Sequence, residues 1–398
     1  MAFNQVLYVL TWAYLALVNF LRDRPGVFVI KSKHQKPGED KKVLISFVLR
    51  PLYKTHFLGR IRYYFSINGL TLFLIRAFNE LGYDCHVIEA AHHDFKVQDN
   101  YQAAVFHVGS FDQIYPQLPP GCVTMAFETG AYWRVHNAKE QERFVEFKSR
   151  HGVDLPLDRW HNKGEETDRM LKQVNGILAL GDYFTREAYQ VFPRVYPINS
   201  AFLEDTDFTE KDILSKDFEK AKSNFWYFGG GGEIHKGLDL LVEVFFQLPH
   251  LQLFICTSFS PGFLKVYGEK IAASPNIHMV GYLPQRSQGF YKLVNSCAFN
   301  LHPSCSEGSP GGVIELLQYG IIPVVSYESN IVVKDFGFQL KDHSLAEIKD
   351  MVIRLSQLPT QEVQRLALET RKVGFEKFSS KVFLSNLQHI LKQDIKVP

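Results

Sequence analysis

Short apolar runs alternate with helix-length segments along most of this chain, and that alternation limits the possible folds more than any other feature. The runs VLISFVL (43–49), CHVIEA (85–90), AAVFHVG (103–109), VTMAFE (123–128), GILALG (176–181) and VYPIN (195–199) are rich in β-formers and bounded by turn residues. Their length suits strands, and their continuous apolar character suits strands buried on both faces, as in a parallel sheet. Between the first two lies the helical pattern LTLFLIRAFNELG, closed by Gly82 after a loop around Ser66, Asn68 and Gly69. A mixed-charge stretch at 204–223 interrupts the series. It resumes with FWYFGG, LQLFICT (251–257), NIHMVGYL (276–283), CAFNLHP (297–303) and IIPVVSY (321–327). The expectation is an α/β protein of two halves, each a parallel sheet with helices on both faces.

Composition removes several classes of function. At 398 residues and 46% hydrophobic, the chain is long enough for two or three packed domains and too apolar for disorder. Lys and Arg total 44 against 42 Asp and Glu, a net charge of +2, without the basic excess of a general nucleic-acid binder. Five scattered cysteines without a CxxC pair exclude a disulfide framework and suit a reducing compartment. Residues 1–21 carry no charge, and on a helical wheel Asn4, Gln5, Tyr8, Thr11, Trp12 and Asn19 share one side with Arg22. That stripe fits an N-terminal helix over 1–24, either lying on a membrane surface or docked on protein. A cleaved signal is not the reading, because a basic start and a small-residue cleavage site are both missing. If the segment instead spans, Arg22, Arg24, Lys31 and Lys33 would hold the body on the cytoplasmic side; in each case the expected place is cytoplasmic, at the inner face of the cell membrane.

Two constellations carry chemistry. The first is FGGGGEIHKGLD (228–239), in which four glycines between a strand and a helix let amides approach an anion and Lys236 adds a mobile cation. It lacks the Ser or Thr of a P-loop after Lys236-Gly237. The second is HPSCSEGSPGGVIELLQYG (302–320), a loop of Ser and Gly that opens a helix near Gly311 or Gly312. Free amides there suit a diphosphate. Glu307 and Glu315 beside an anion cradle suggest recognition of sugar and ribose hydroxyls. His92 and His93 have no partnering carboxylate at a recognised spacing, so no metal is assigned.

Together, GGGG-x-x-x-KGLDLL and SEGSPGGVIE resemble the donor domain of the family 4 retaining glycosyltransferases, with Glu307 and Glu315 in the places of its E-x7-E motif. The resemblance covers 224–330 strongly and the first half in outline. It implies a GT-B architecture: an N-terminal Rossmann-like acceptor domain over 41–205, completed by 376–398, and a C-terminal donor domain over 206–375. FEKFSSKVFLSNLQHIL would be the last helix, crossing back to the N-terminal domain.

The resemblance further implies that Gly231, Gly232 and Lys236 bind the donor diphosphate with the amides of Ser309, Gly311 and Gly312. Glu307 would contact the transferred sugar and Glu315 the ribose. Asn68, Gly69, Thr129 and Gly130 would face the acceptor, and His136, in FETGAYWRVHNAKEQER, would hydrogen-bond a sugar near the reacting centre. Many members place an arginine where this chain has Gly230, so either His235, another basic residue or the amides compensate, or donor binding is weakened. The expected activity is metal-independent, cofactor-free transfer from a nucleotide diphosphate sugar to a saccharide or lipid-linked acceptor in cell-surface polysaccharide or glycolipid synthesis. The alternatives are a catalytically silent partner in a membrane polysaccharide assembly complex and a sugar-nucleotide epimerase.

Overall fold

The computed structural model describes residues 26–49, 67–90, 94–107 and 109–398. The apolar segment 1–24, Ser66 and the pair His92 and His93 lie outside the described residues. Within them, the strands form two sheets. The first joins β1 (Phe28–Ile30), β2 (Lys42–Phe47), β3 (Asp84–Glu89), β4 (Ala103–Phe106), β5 (Val123–Glu128), β6 (Gly176–Leu180) and β7 (Val195–Ile198) in the order β1-β3-β2-β4-β5-β6-β7. All its pairs are parallel except β1 with β3. The second joins β8 (Asn224–Phe228), β9 (Gln252–Cys256), β10 (Ile277–Met279), β11 (Phe299–His302), β12 (Ile322–Val325) and β13 (Phe338–Gln339) as β10-β9-β8-β11-β12-β13, parallel throughout. The sequence does not signal β1 or β13, which are edge strands of three and two residues.

The helices that position the site are α1 (Ile67–Glu80), α2 (Trp133–His151), α3 (Tyr183–Ala188), α4 (Leu238–Phe246), α5 (Gly311–Leu317), α6 (Thr360–Phe378) and α7 (Ser380–His389). Asn68 and Gly69, expected in a loop, stand in the first turn of α1. Ile67 lies three and seven residues ahead of Leu70 and Leu74, so the apolar helical spacing already begins there. The chain visits β8, β9 and β10 on one side and returns to build β11, β12 and β13 on the other. Strand order therefore reverses between β8 and β11, and the carboxyl ends of those two strands flank a crevice of the kind where open α/β sheets bind ligands.

Two segments tie the halves together. The expected single terminal helix is broken at Ser379, whose backbone is extended (φ −72°, ψ 154°), whose hydroxyl caps the Val382 amide at 3.4 Å, and which bridges to Phe202. Beyond it α7 turns back onto the first sheet, burying Phe383, Leu384 and Leu387 with Leu74 and Phe78 of α1. Each such side chain is worth about 1.5–3 kcal/mol relative to exposure. In the other direction α2, which lies in the chain between β5 and β6, sends Phe144 and Phe147 into the core of the second sheet beside Leu238, Leu241 and Tyr267. Arg150 of α2 also pairs with the fully buried Asp239 of α4. No helix of the described residues is long and apolar enough to cross a membrane.

Candidate functional site

Gly229–Gly232 follow β8 at the reversal of strand order. A side chain placed at Gly230, Gly231 or Gly311 would meet nothing within 4 Å, so these glycines border an open space at the ends of β8 and β11. Lys236 is held by a turn, its amide donating to the Gly232 carbonyl at 2.9 Å. Its Nζ lies 3.9 Å from where a Cβ on Gly229 would stand. Burial lowers the pKa of Lys236, against the pull of Glu307, which favours the charged form. The ammonium makes no salt bridge among the described residues.

Glu307 lies close enough to Lys236 for each charge to act on the other. Its Oε1 accepts from the Ser304 hydroxyl at 3.1 Å and lies 3.3 Å from His302 Nε2, and its amide donates to Glu328 O at 2.9 Å. Burial pushes its pKa up, but Lys236 and His302 outweigh burial and hold it well below the usual carboxylate range. The next residue, Gly308, is where the two halves touch: a Cβ there would lie 2.5 Å from Thr129 O and 2.9 Å from Gly130 Cα. Only a glycine permits that approach, and it brings Thr129 and Gly130 against the loop that carries Glu307. Ser309 accepts the Ser200 amide at 2.9 Å through its hydroxyl, and Gly312 rests on the end of β8.

Glu315 is buried on α5. Gln318 donates to its Oε1 at 2.9 Å, and its Oε2 has no partner. Burial pushes this carboxyl up to about 8; Arg286 pulls it down and Asp205 adds to the rise. Asn68 and Gly69 stand apart at the start of α1, where a side chain on Gly69 would meet nothing within 4 Å.

His136 has a different setting from the one expected. It is buried on α2, stacks on His161 with ring centroids 3.9 Å apart, lies 4.7 Å from the His235 ring, and engages the Arg159 carbonyl through Nε2 at 2.8 Å. Burial lowers its pKa, against the Arg159 carbonyl and Glu307, which raise it. His235 is buried too, with Nε2 on Ser306 O at 2.7 Å, and burial pushes it down to about 3. It therefore supplies no charge to replace the arginine absent at Gly230. His136, Glu140 and His235 form the one group among the described residues with the composition of a metal site, their ligand atoms within 4.8 Å of one another.

Sequence reasoning missed the loop 152–164. Three side chains of α2 clamp its backbone: Glu140 accepts the Arg159 amide at 2.6 Å, His136 takes the Arg159 carbonyl, and Asn137 bonds His161 both ways at 2.9 and 3.0 Å. The signal was present, because residues 136, 137, 140 and 143 share one helical face with Phe144 and Phe147. The loop also delivers Lys163 to the buried Glu128 at the end of β5. Asn330, equally unforeseen, accepts the amides of Asp182 and Phe184 at 2.9 and 3.1 Å at the start of α3. Its Nδ2 donates to Gly308 O at 2.6 Å and to the Thr185 hydroxyl at 2.7 Å.

No protein-family model and no curated protein matches this sequence. Solved structures do match the fold. Sucrose-phosphate synthase from Thermosynechococcus elongatus superposes with a TM-score of 0.63 at 12% identity, over 90% of this chain and 100% of that one. HepE from Anabaena, in complex with UDP and glucose, gives 0.53 at 11% identity over 89% and 99%. TarM of S. aureus gives 0.52 at 13% identity over 73% of this chain and 55% of its own, so this chain spans about half the length of TarM. The two facing α/β domains, the crevice at the β8/β11 reversal and the returning terminal helix are thus the GT-B fold, shared with glycosyltransferases of very different sequence.

Proposed function

We propose that the chain is a retaining glycosyltransferase that moves a sugar from a nucleoside diphosphate sugar to an acceptor hydroxyl on a saccharide or a lipid-linked saccharide. The observation that carries this reading is the open space at Gly230, Gly231 and Gly311 beside a buried ammonium, Lys236, that makes no ion pair among the described residues and whose charge acts on the carboxylate of Glu307. A diphosphate fits beside the cation, and the carboxylate suits the hydroxyls of a sugar. HepE holds UDP and glucose on the same fold.

In this reading Lys236 and the amides of Ser309, Gly311 and Gly312 take up the negative charge that grows on the diphosphate as the glycosidic bond to C1 breaks. Glu307 orients the sugar. Glu315, neutral in the empty site, meets the ribose hydroxyls. The acceptor enters from the side of Thr129 and Gly130. Its oxygen bonds C1 on the face the diphosphate leaves, and its proton passes to the departing phosphate oxygen, which preserves the anomeric configuration. His136 acts as a positioning residue, through the Arg159 carbonyl.

Thermal-shift and calorimetric titrations with UDP, GDP, ADP and CMP test the reading. One nucleoside diphosphate should stabilise the protein, and Lys236→Ala and Glu315→Ala should each weaken it by about 10–100-fold, as expected for loss of a charged or bidentate contact. A protein stabilised by none of them is not a glycosyltransferase of this kind.

A further inference from the structure

Arg159 reaches the phosphate loop from the opposite domain. Its backbone is fixed at both ends, by Glu140 at the amide and His136 at the carbonyl. Its side chain lies across the glycine loop: Cγ and Cδ both come 2.8 Å from where a Cβ on Gly232 would stand, and Nε 3.7 Å. Gly232 has φ +96°, so a side chain there would be strained as well as blocked. The guanidinium makes no salt bridge or hydrogen bond among the described residues, and the residue is exposed. Lys236 Nζ lies 3.9 Å from where a Cβ on Gly229 would stand, so both cations border the same four-residue glycine loop.

Glu307, Asp158 and Glu233 favour the charged form of Lys236, but no carboxylate of the described residues comes within ion-pair distance of either cation, so both keep donors for a ligand with at least two anionic oxygens. A guanidinium offers several donors in a fixed plane and suits phosphate oxygens, whereas an ammonium acts as a point charge. We propose that Arg159 is the second cation of the diphosphate subsite, supplied across the interdomain crevice, and that it takes the place of the arginine missing at Gly230. This inference rests on the nucleotide-sugar reading above. It adds that the donor diphosphate is gripped by one cation from each domain, so nucleotide binding and apposition of the domains are linked. The clamp formed by His136, Asn137 and Glu140 then serves to preset Arg159.

Titration of wild type, Arg159→Ala, Lys236→Ala and the double variant Arg159→Ala/Gly230→Arg with UDP, GDP, ADP and inorganic pyrophosphate tests the assignment. Arg159→Ala should weaken the diphosphate that wild type binds by about 10–100-fold while leaving the ligand-free melting temperature unchanged. The double variant should recover most of that loss, since a side chain at Gly230 meets no atom within 4 Å. Binding lost in Lys236→Ala but retained in Arg159→Ala overturns this inference and leaves the nucleotide-sugar reading standing. A double variant no better than Arg159→Ala overturns the exchange of one arginine for the other. Failure of wild type to bind any of these probes overturns the reading itself.

Discussion

The ligand-facing ends of the two sheets each hold a largely buried lysine, and the two are treated oppositely. At the first sheet, Lys163 closes on Glu128, and Tyr189 reaches the same carboxylate oxygen at 3.4 Å, so the end of β5 is filled by its own charges. At the second, Lys236 has no such partner, and the glycines around it keep the space open. One lysine is held in an ion pair, and the other, among the described residues, is not. Burying an ammonium outside an ion pair is costly, so the contrast marks where a bound anion would stabilise most.

The sharpest way to break the comparison is to remove each ammonium in turn. Lys163→Met leaves Glu128 buried without its cation and should cost about 3–5 kcal/mol, read as a fall in the urea midpoint, while changing nucleotide affinity little. Lys236→Met removes a charge that makes no ion pair among the described residues but still offsets the buried Glu307. It should cost less stability than Lys163→Met and abolish the nucleotide response. Equal losses of stability in the two variants would show that Lys236 is as structural as Lys163.

A smaller effect is expected where the halves meet. The Asn330 side chain serves the first amides of α3 and the Gly308 carbonyl together, so it couples the start of a first-domain helix to the loop carrying Glu307. Asn330→Ala strands those groups and should cost about 1–2 kcal/mol, the range for a lost helix cap. Because one of its bonds goes to Gly308, nucleotide affinity should fall with it. Full affinity at reduced stability would mean that the donor end holds its shape without help from the first domain.

The same contrast separates what was legible in the sequence from what was not. The buried strands announce themselves because a strand covered on both faces must be apolar throughout. β8, β11 and β12 therefore stand within a residue or two of where their apolar runs fall. Lys236, Glu307 and Glu315 drew attention because they lie in or just after Gly- and Ser-rich strand-to-helix segments of recognisable composition. Arg159 and Asn330 were not, since each acts across the interface on a residue far away in the chain. His136 was seen as a chemical group, yet its visible contact is with the Arg159 carbonyl, because its neighbours on the helix face were not considered with it. A single-residue reading leaves out what a helix face holds as a unit.

The effect hardest to isolate concerns Glu315, and it is a slope. Burial raises this carboxyl to about 8 in the folded, empty protein, while in the unfolded chain it titrates near the ordinary 4.5. Between those values the folded state holds a proton that the unfolded state has released. The stability contributed by protonated Glu315 is therefore full below about pH 4.5 and is lost as pH rises toward 8, by at most about 1.4 kcal/mol per pH unit. Glu140, raised by burial to about 7, contributes a slope of the same sign, so only a difference between proteins isolates Glu315. Glu315→Gln keeps the shape and cannot ionise. Melting temperatures measured from pH 5 to 9 without ligand should fall less steeply with pH in the variant than in wild type. Parallel curves would mean that Glu315 is already ionised in the empty site and, like Glu307, has its charge offset by the fold.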